Sequence, residues 1–176
     1  MKKSVLLLFF AGCVATGIFG IGRKIPMNRV NDLGQREGYW RDSLGEGITH
    51  ELYYKGGKKD GLFKCFSRND LFVLGEYTAD NISGTWYMFG DEGELRCTID
   101  SIELNKDSIY TGYCRIFCKY KCHSIDYYPS GAVKSEGYMV CDEEFEIEIW
   151  EIGEWKYYDE SGNLIKTKDY GDRRTP

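Results

Sequence analysis

The chain has 176 residues, with 28 acidic against 23 basic side chains and a net charge of −5. It has no basic stripe, so nucleic acid is excluded as its natural partner. Its length suffices for one domain with a real core. Tyrosine (14), glycine (21) and phenylalanine (9) are abundant while proline (3) is scarce. Aromatics suit pleated strands and glycines suit tight turns, so composition alone predicts an all-β fold.

The first residues predict export. Met1-Lys2-Lys3 is a short positive region, and Val5 to Phe10 is an unbroken apolar run, the layout of a signal segment. Phe10-Ala11-Gly12-Cys13 is similar to the lipobox of bacterial lipoproteins, which implies lipidation at Cys13. The apolar stretch Val5 to Gly22, at 18 residues, is also just long enough to remain as a membrane anchor. Lipoprotein, cleaved signal and anchor all place the remainder outside the cytoplasm, at the cell envelope. Residues 1–22 are therefore read as leader or anchor and 23–35 as linker.

From Gly38 onward the chain repeats. Gly38, Gly61 and Gly84 stand 23 residues apart, and each is followed two residues later by a large aromatic: Trp40, Phe63 and Trp86. The same signature returns as Gly153-Glu154-Trp155. Nine residues after the opening glycine comes a turn residue: Gly47, Asp70, Gly93 and Gly162. Between these marks lie short aromatic strands, such as Leu62 to Phe66, Trp86 to Phe89 and Trp155 to Tyr158. A second strand follows the turn, as in Leu71 to Tyr77 and Leu164 to Tyr170. One unit is thus a β-hairpin, with Gly56-Gly57 and Asp80-Asn81 turning the chain into the next. A fixed period of this length marks a repeat architecture.

The middle is less regular. Tyr127 to Val133 matches Tyr157 to Asn163, which places a further unit around Gly131. Segments 97–124 and 141–152 depart from the period, and 171–176 forms a tail. The expected fold is an array of four or five hairpins joined edge to edge in one elongated, twisted antiparallel sheet spanning 36–170.

Two segments carry the pattern most clearly: Gly57-Lys58-Lys59-Asp60-Gly61-Leu62-Phe63 and Gly153-Glu154-Trp155-Lys156-Tyr157-Tyr158-Asp159-Glu160-Ser161-Gly162-Asn163-Leu164. They resemble MORN-type repeats, with the closest likeness to a bacterial variant known as the antitoxin-like MORN family. The resemblance covers about 36–170, strongly at both ends and weakly between 97 and 124. It implies a hairpin-repeat fold that serves as an interaction module.

Beyond Cys13, six cysteines remain (65, 97, 114, 118, 122 and 141), an even number that permits disulfides in an exported chain. Cys114, Cys118, Cys122 and His123 suggest a zinc set. Residues 113–123 alternate, however, with Cys114, Ile116, Cys118, Tyr120 and Cys122 on one strand face. Cysteines four apart on a strand are roughly 13 Å apart, too far to share an ion. They are expected as small core side chains. In Asp142 to Glu151 the alternation points Phe145, Ile147 and Ile149 inward and Glu144, Glu146 and Glu148 outward, the pattern of a half-exposed strand. A carboxylate-dependent hydrolase using Glu143 to Glu154 is the remote alternative. No Gly-x-Ser-x-Gly elbow or phosphate loop accompanies His50 or His123.

Aromatics at matching repeat positions (Trp40, Trp86, Trp155, Tyr54, Tyr87, Tyr128 and Tyr157) are expected to stack as a ladder through the sheet. Trp40, Trp86, Trp155, Tyr87 and Tyr157 are the candidates for a binding platform if any stay exposed. Short aromatic hairpins of choline- and cell-wall-binding repeats are superficially similar and cage quaternary ammonium groups. The expectation is a non-catalytic protein without metal or cofactor, whose surface binds a protein or envelope component. An aromatic glycan- or choline-binding module is the alternative. Contact with the membrane would come only through the N-terminal lipid or anchor.

Overall fold

The computed structural model describes residues 26–107, 109–110, 115–116, 118–142 and 149–172. In chain order the strands are β1 (Arg29–Val30), β2 (Arg36–Gly45), β3 (Ile48–Lys55), β4 (Lys58–Ser67), β5 (Asp70–Thr78), β6 (Asn81–Phe89) and β7 (Leu95–Leu104). They continue with β8 (Ile109–Tyr110), β9 (Arg115–Ile116), β10 (Tyr120–Tyr127), β11 (Val133–Cys141), β12 (Ile149–Tyr158) and β13 (Leu164–Asp169). Eleven form one open antiparallel sheet in sequence order, while β8 and β9 pair separately inside the β7–β10 connection. Among the described residues there is no helix. The expected all-β array of consecutive hairpins is therefore what the chain builds, with five hairpins starting at β2, β4, β6, β10 and β12. Residues 1–25, Cys13 among them, lie outside the described residues, and the stretch read as linker contributes β1 to the sheet edge.

The repeat glycines have a backbone cause. Gly61, Gly84 and Gly153 have φ of +129°, +65° and +62°, a region that side chains avoid. Each sits in a bulge: Leu52 and Tyr54 of β3 are matched by Phe63 and Lys59 of β4, so four residues run against two. The same four-against-two offset recurs at Gly84 in β6 and at Gly153 in β12. Beyond the bulge, the aromatic two residues on projects onto one face of the sheet. The turns follow the expected marks at Gly47, Gly93, Gly131 and Gly162, all at positive φ. At the other reversals Gly56-Gly57 is left-handed where expected, while the left-handed pairs Arg68-Asn69 and Ala79-Asp80 each lie one residue earlier than the sequence suggests.

That face holds the core. Leu52, Tyr54, Tyr77, Ile82, Trp86, Ile99, Tyr120, Cys122, Met139, Cys141 and Trp155 form one buried cluster. Trp86 lies flat on Gly75 of the neighbouring strand and Trp155 on Gly137, so that a Cβ at either glycine would fall inside the ring. Burying a large apolar side chain contributes about 1.5–3 kcal/mol. An exposed ion pair contributes about 0–1 kcal/mol. The aromatic layer therefore dominates the stability of this sheet.

The irregular segments differ from expectation. Residues 113–123 do not form one alternating strand: β10 begins only at Tyr120, and Cys118 lies outside any strand. Asn105 turns the chain there, its amide N–H and its side chain donating to the carbonyls of Lys119 and Cys118 at 2.9 Å each. Cys118 then joins Ile109 and Val140 in a second cluster, with Trp150 and Ile152 against it, on the sheet face opposite Cys122. Ile149, expected inward, is 44% exposed because it opens β12 at the sheet end. Cys114 and Glu143 to Glu148 lie outside the described residues.

Candidate functional site

The two faces of the sheet have different chemistry. On the core face the tryptophans are fully used. Trp86 and Trp155 are 2% and 5% exposed. Their indole N–H groups donate to the carbonyls of Ser83 at 3.1 Å and Tyr138 at 2.8 Å. Trp40 is half-buried and donates to the Arg29 carbonyl at 3.1 Å. Tyr157 is half-buried as well, and its hydroxyl lies 2.9 Å from that of Tyr170.

Several rings of this face are covered by the chain's own cations. The Arg36 guanidinium lies 4.4 Å from the Trp40 ring centre and 5.1 Å from that of Tyr54. One repeat later, Lys59 lies 4.6 Å from the Tyr77 ring. Lys166 and Lys168 cover Tyr157 and Tyr170 at 5.4 and 3.8 Å. Each such contact is worth about 0.5–1 kcal/mol at an exposed site. The sites where a quaternary ammonium would stack thus already hold ammonium or guanidinium groups.

The opposite, outer face is organised as one cross-strand row. Register links Arg41, Glu51, Lys64, Leu74 and Tyr87 from β2 to β6. Thr98, Ile125, Glu136 and Lys156 continue it through β7, β10, β11 and β12. Glu51 is flanked by Arg41 and Lys64 at 4.0 Å each. Near it the Tyr39 phenol is pushed up to about 12, by burial first and then by the Glu51 carboxylate. Beside this charged group stand partly exposed apolar side chains. Tyr53 is 47% exposed, Leu62 53%, Phe72 42% and Tyr87 36%.

Toward β11 the outer face changes. Ile109 and Cys118 of the β7–β10 connection pack on Val140. Tyr138 remains 46% exposed between Lys121, 5.2 Å from its ring centre, and His123, whose ring centre is 5.3 Å away. His123 Nδ1 faces Asp100 at 3.3 Å. Among the described residues no three His, Cys, Asp or Glu side chains are grouped to hold a metal ion. An open depression of about 410 Å³ at the turn end is lined by Val133, Glu136, Tyr158 and Glu160, where Tyr158 donates to Glu136 at 2.6 Å.

Of the five aromatics singled out from the sequence, four lie on the core face and only Tyr87 lies on the outer face. Tyr87 is thus not part of the core ladder, because it pairs with Leu74 and Thr98 across the sheet. Tyr53, Leu62, Phe72 and Tyr138 were not marked by the repeat signature. The signal available was parity: Tyr53 precedes the buried Tyr54, and Leu62 precedes Phe63, so alternation turns each outward. No family model, curated protein or solved structure matches the chain.

Proposed function

We propose that this protein is a non-catalytic hairpin-repeat module of the cell envelope whose outer sheet face binds a protein or another envelope component. The observation that carries this reading is the set of apolar side chains Tyr53, Leu62, Phe72 and Tyr87 on β3 to β6, exposed by 36–53%. Tyrosine beside apolar side chains and a charged group is the composition of a binding surface, where the ring supplies contact area and the hydroxyl stays wet. The export reading of residues 1–22 supports the location, and the MORN-like pattern supports an interaction role. The choline-type alternative is less well supported, because Arg36, Lys59, Lys166 and Lys168 already occupy the aromatic rings.

The test is site-specific photocrosslinking in intact cells. A photoreactive group at Tyr53 or Tyr87 is expected to trap one discrete partner, while the same group at Lys166 traps none. Combined Leu62→Ser and Tyr87→Ser changes are expected to weaken capture at least tenfold without lowering the melting temperature. Equal trapping from both faces, or saturable quenching of tryptophan fluorescence by a choline analogue, would overturn the reading.

A further inference from the structure

We propose that Cys122 and Cys141 form a disulfide site built into the core, joining β10 to β11. Their Sγ atoms lie 3.6 Å apart, in van der Waals contact, and both residues are completely buried. Register explains the contact. Tyr120 pairs with Cys141 and Cys122 with Met139, so the two cysteines are diagonal neighbours on the same face of adjacent strands. A disulfide requires sulfurs about 2.05 Å apart, and diagonal strand neighbours have Cα atoms about 7–8 Å apart, so closure takes a small shift of the two backbones together with side-chain rotation.

The neighbours direct the choice of partner. Cys97, on β7 of the same face, has its Sγ 3.4 Å from the Ser124 hydroxyl, which ties it to a different group. Cys118 is on the opposite face with Ile109 and Val140. Cys122 therefore has one thiol within bonding reach among those described. The facing Cys141 thiol and then burial push the Cys122 thiol well above its ordinary range, so attack by its thiolate is slow while the core is closed. Cys141 is the last residue of β11, where strand ends fray, and this is where oxidant gains entry during folding or local opening.

The chemistry balances with a small disulfide such as oxidised glutathione as oxidant. One cysteine thiolate attacks the oxidant, forming a mixed disulfide and releasing one glutathione thiol. The second cysteine thiolate attacks the protein sulfur of that intermediate and releases the other glutathione thiol. Both protein sulfurs are oxidised, and the two glutathione sulfurs take the electron pair and the two protons. The bond would also fix register. A one-residue slip of β11 would turn one cysteine to the other face and abolish the contact. This matters because the connections after β7 and after β11 are longer than any other between paired strands of the sheet. The pairing is a property of the fold and is tested on purified protein, so it stands apart from the interaction surface and from where the protein resides.

The full-length chain, purified in detergent, is unfolded and refolded in glutathione buffers of graded redox poise, then alkylated and mapped by mass spectrometry. The expected result is one dominant cross-linked peptide containing Cys122 and Cys141, reversed by reductant. The oxidised form is expected to melt about 5–10 °C above the reduced form. Cys122→Ser should remove that difference. If that variant does not fold, Cys141→Ser, at the strand end, serves the same purpose. Recovery of both cysteines as alkylated thiols from protein refolded under the most oxidising buffer would overturn the proposal. So would a dominant link from Cys122 to any other cysteine.

Discussion

Gly75 and Gly137 are defined by the ring that lies on each. Neither has the left-handed backbone that usually explains a glycine; the requirement is space for Trp86 and Trp155. Alanine at 75 would have to displace a ring that is 2% exposed and held by its N–H on the Ser83 carbonyl. Gly75→Ala is therefore expected to destabilise the protein by about 1–3 kcal/mol, the cost of overpacking. Denaturant titration should show a lower midpoint with an unchanged slope. The double variant Gly75→Ala, Trp86→Leu should lose less than the sum of the single changes, because the smaller side chain vacates the space that alanine needs. Additive losses would show that the contact is not what Gly75 provides. Sequence reading identified the tryptophans through their spacing. It could not identify these glycines, because their partners lie on another strand and their φ is ordinary.

At the scale of the hairpin, legibility depended on whether the constraint was local. The 23-residue period was readable because each opening glycine, bulge and turn is specified within a few residues. The join between units is legible for the same reason: Gly57 N–H donates to the Arg36 carbonyl at 2.9 Å, and one repeat later Asp80 N–H donates to that of Lys59 at 2.8 Å. Long-range choices were not readable. Cys114 to Cys122 has the alternation of one strand, yet Asn105 stops that strand and moves Cys118 to the other face. The last turn gives a direct test of local specification. The Asp159 carboxylate accepts from the Ser161 and Asn163 amides at 2.9 Å each and from the Asn163 side chain at 3.0 Å. These bonds, that with the Asn163 side chain foremost, hold its acid below the ordinary range. A depressed folded-state value means that its support is present above the ordinary value of 3.8 and is lost as pH falls through the lower one. Asp159→Ala should accordingly speed amide exchange in β13 at neutral pH, with β2 to β7 unchanged. Faster exchange throughout the sheet would mean that the turn acts globally.

The whole molecule is close to one-dimensional. Apart from the β7–β10 join, which skips the small β8–β9 pair, each strand of the sheet pairs only with its neighbours in sequence. In such an array stability is a sum of unit terms and nearest-neighbour interfaces, so it need not be uniform along the chain. Burial indicates where the maximum lies. Trp86, Ile99, Tyr120, Cys122 and Cys141, on β6, β7, β10 and β11, are all exposed by 2% or less. At the ends, β1 has two exposed residues and β13 has six. The edge at β13 also carries Lys166 and Lys168, charges that discourage another strand from adding to it. Native-state amide exchange should therefore be slowest in β6 to β11 and fastest in β1 and β13, with β2 to β5 between. The gradient follows from the side chains each strand buries, because the backbone ladder is equally complete in β4 and in β10. Reduction of protein oxidised at Cys122 and Cys141 should lower protection in β10 and β11 first and leave β2 to β4 as they were. A flat profile would mean that the sheet unfolds only as a whole, and that the central hairpins do not hold the surplus stability their burial assigns to them.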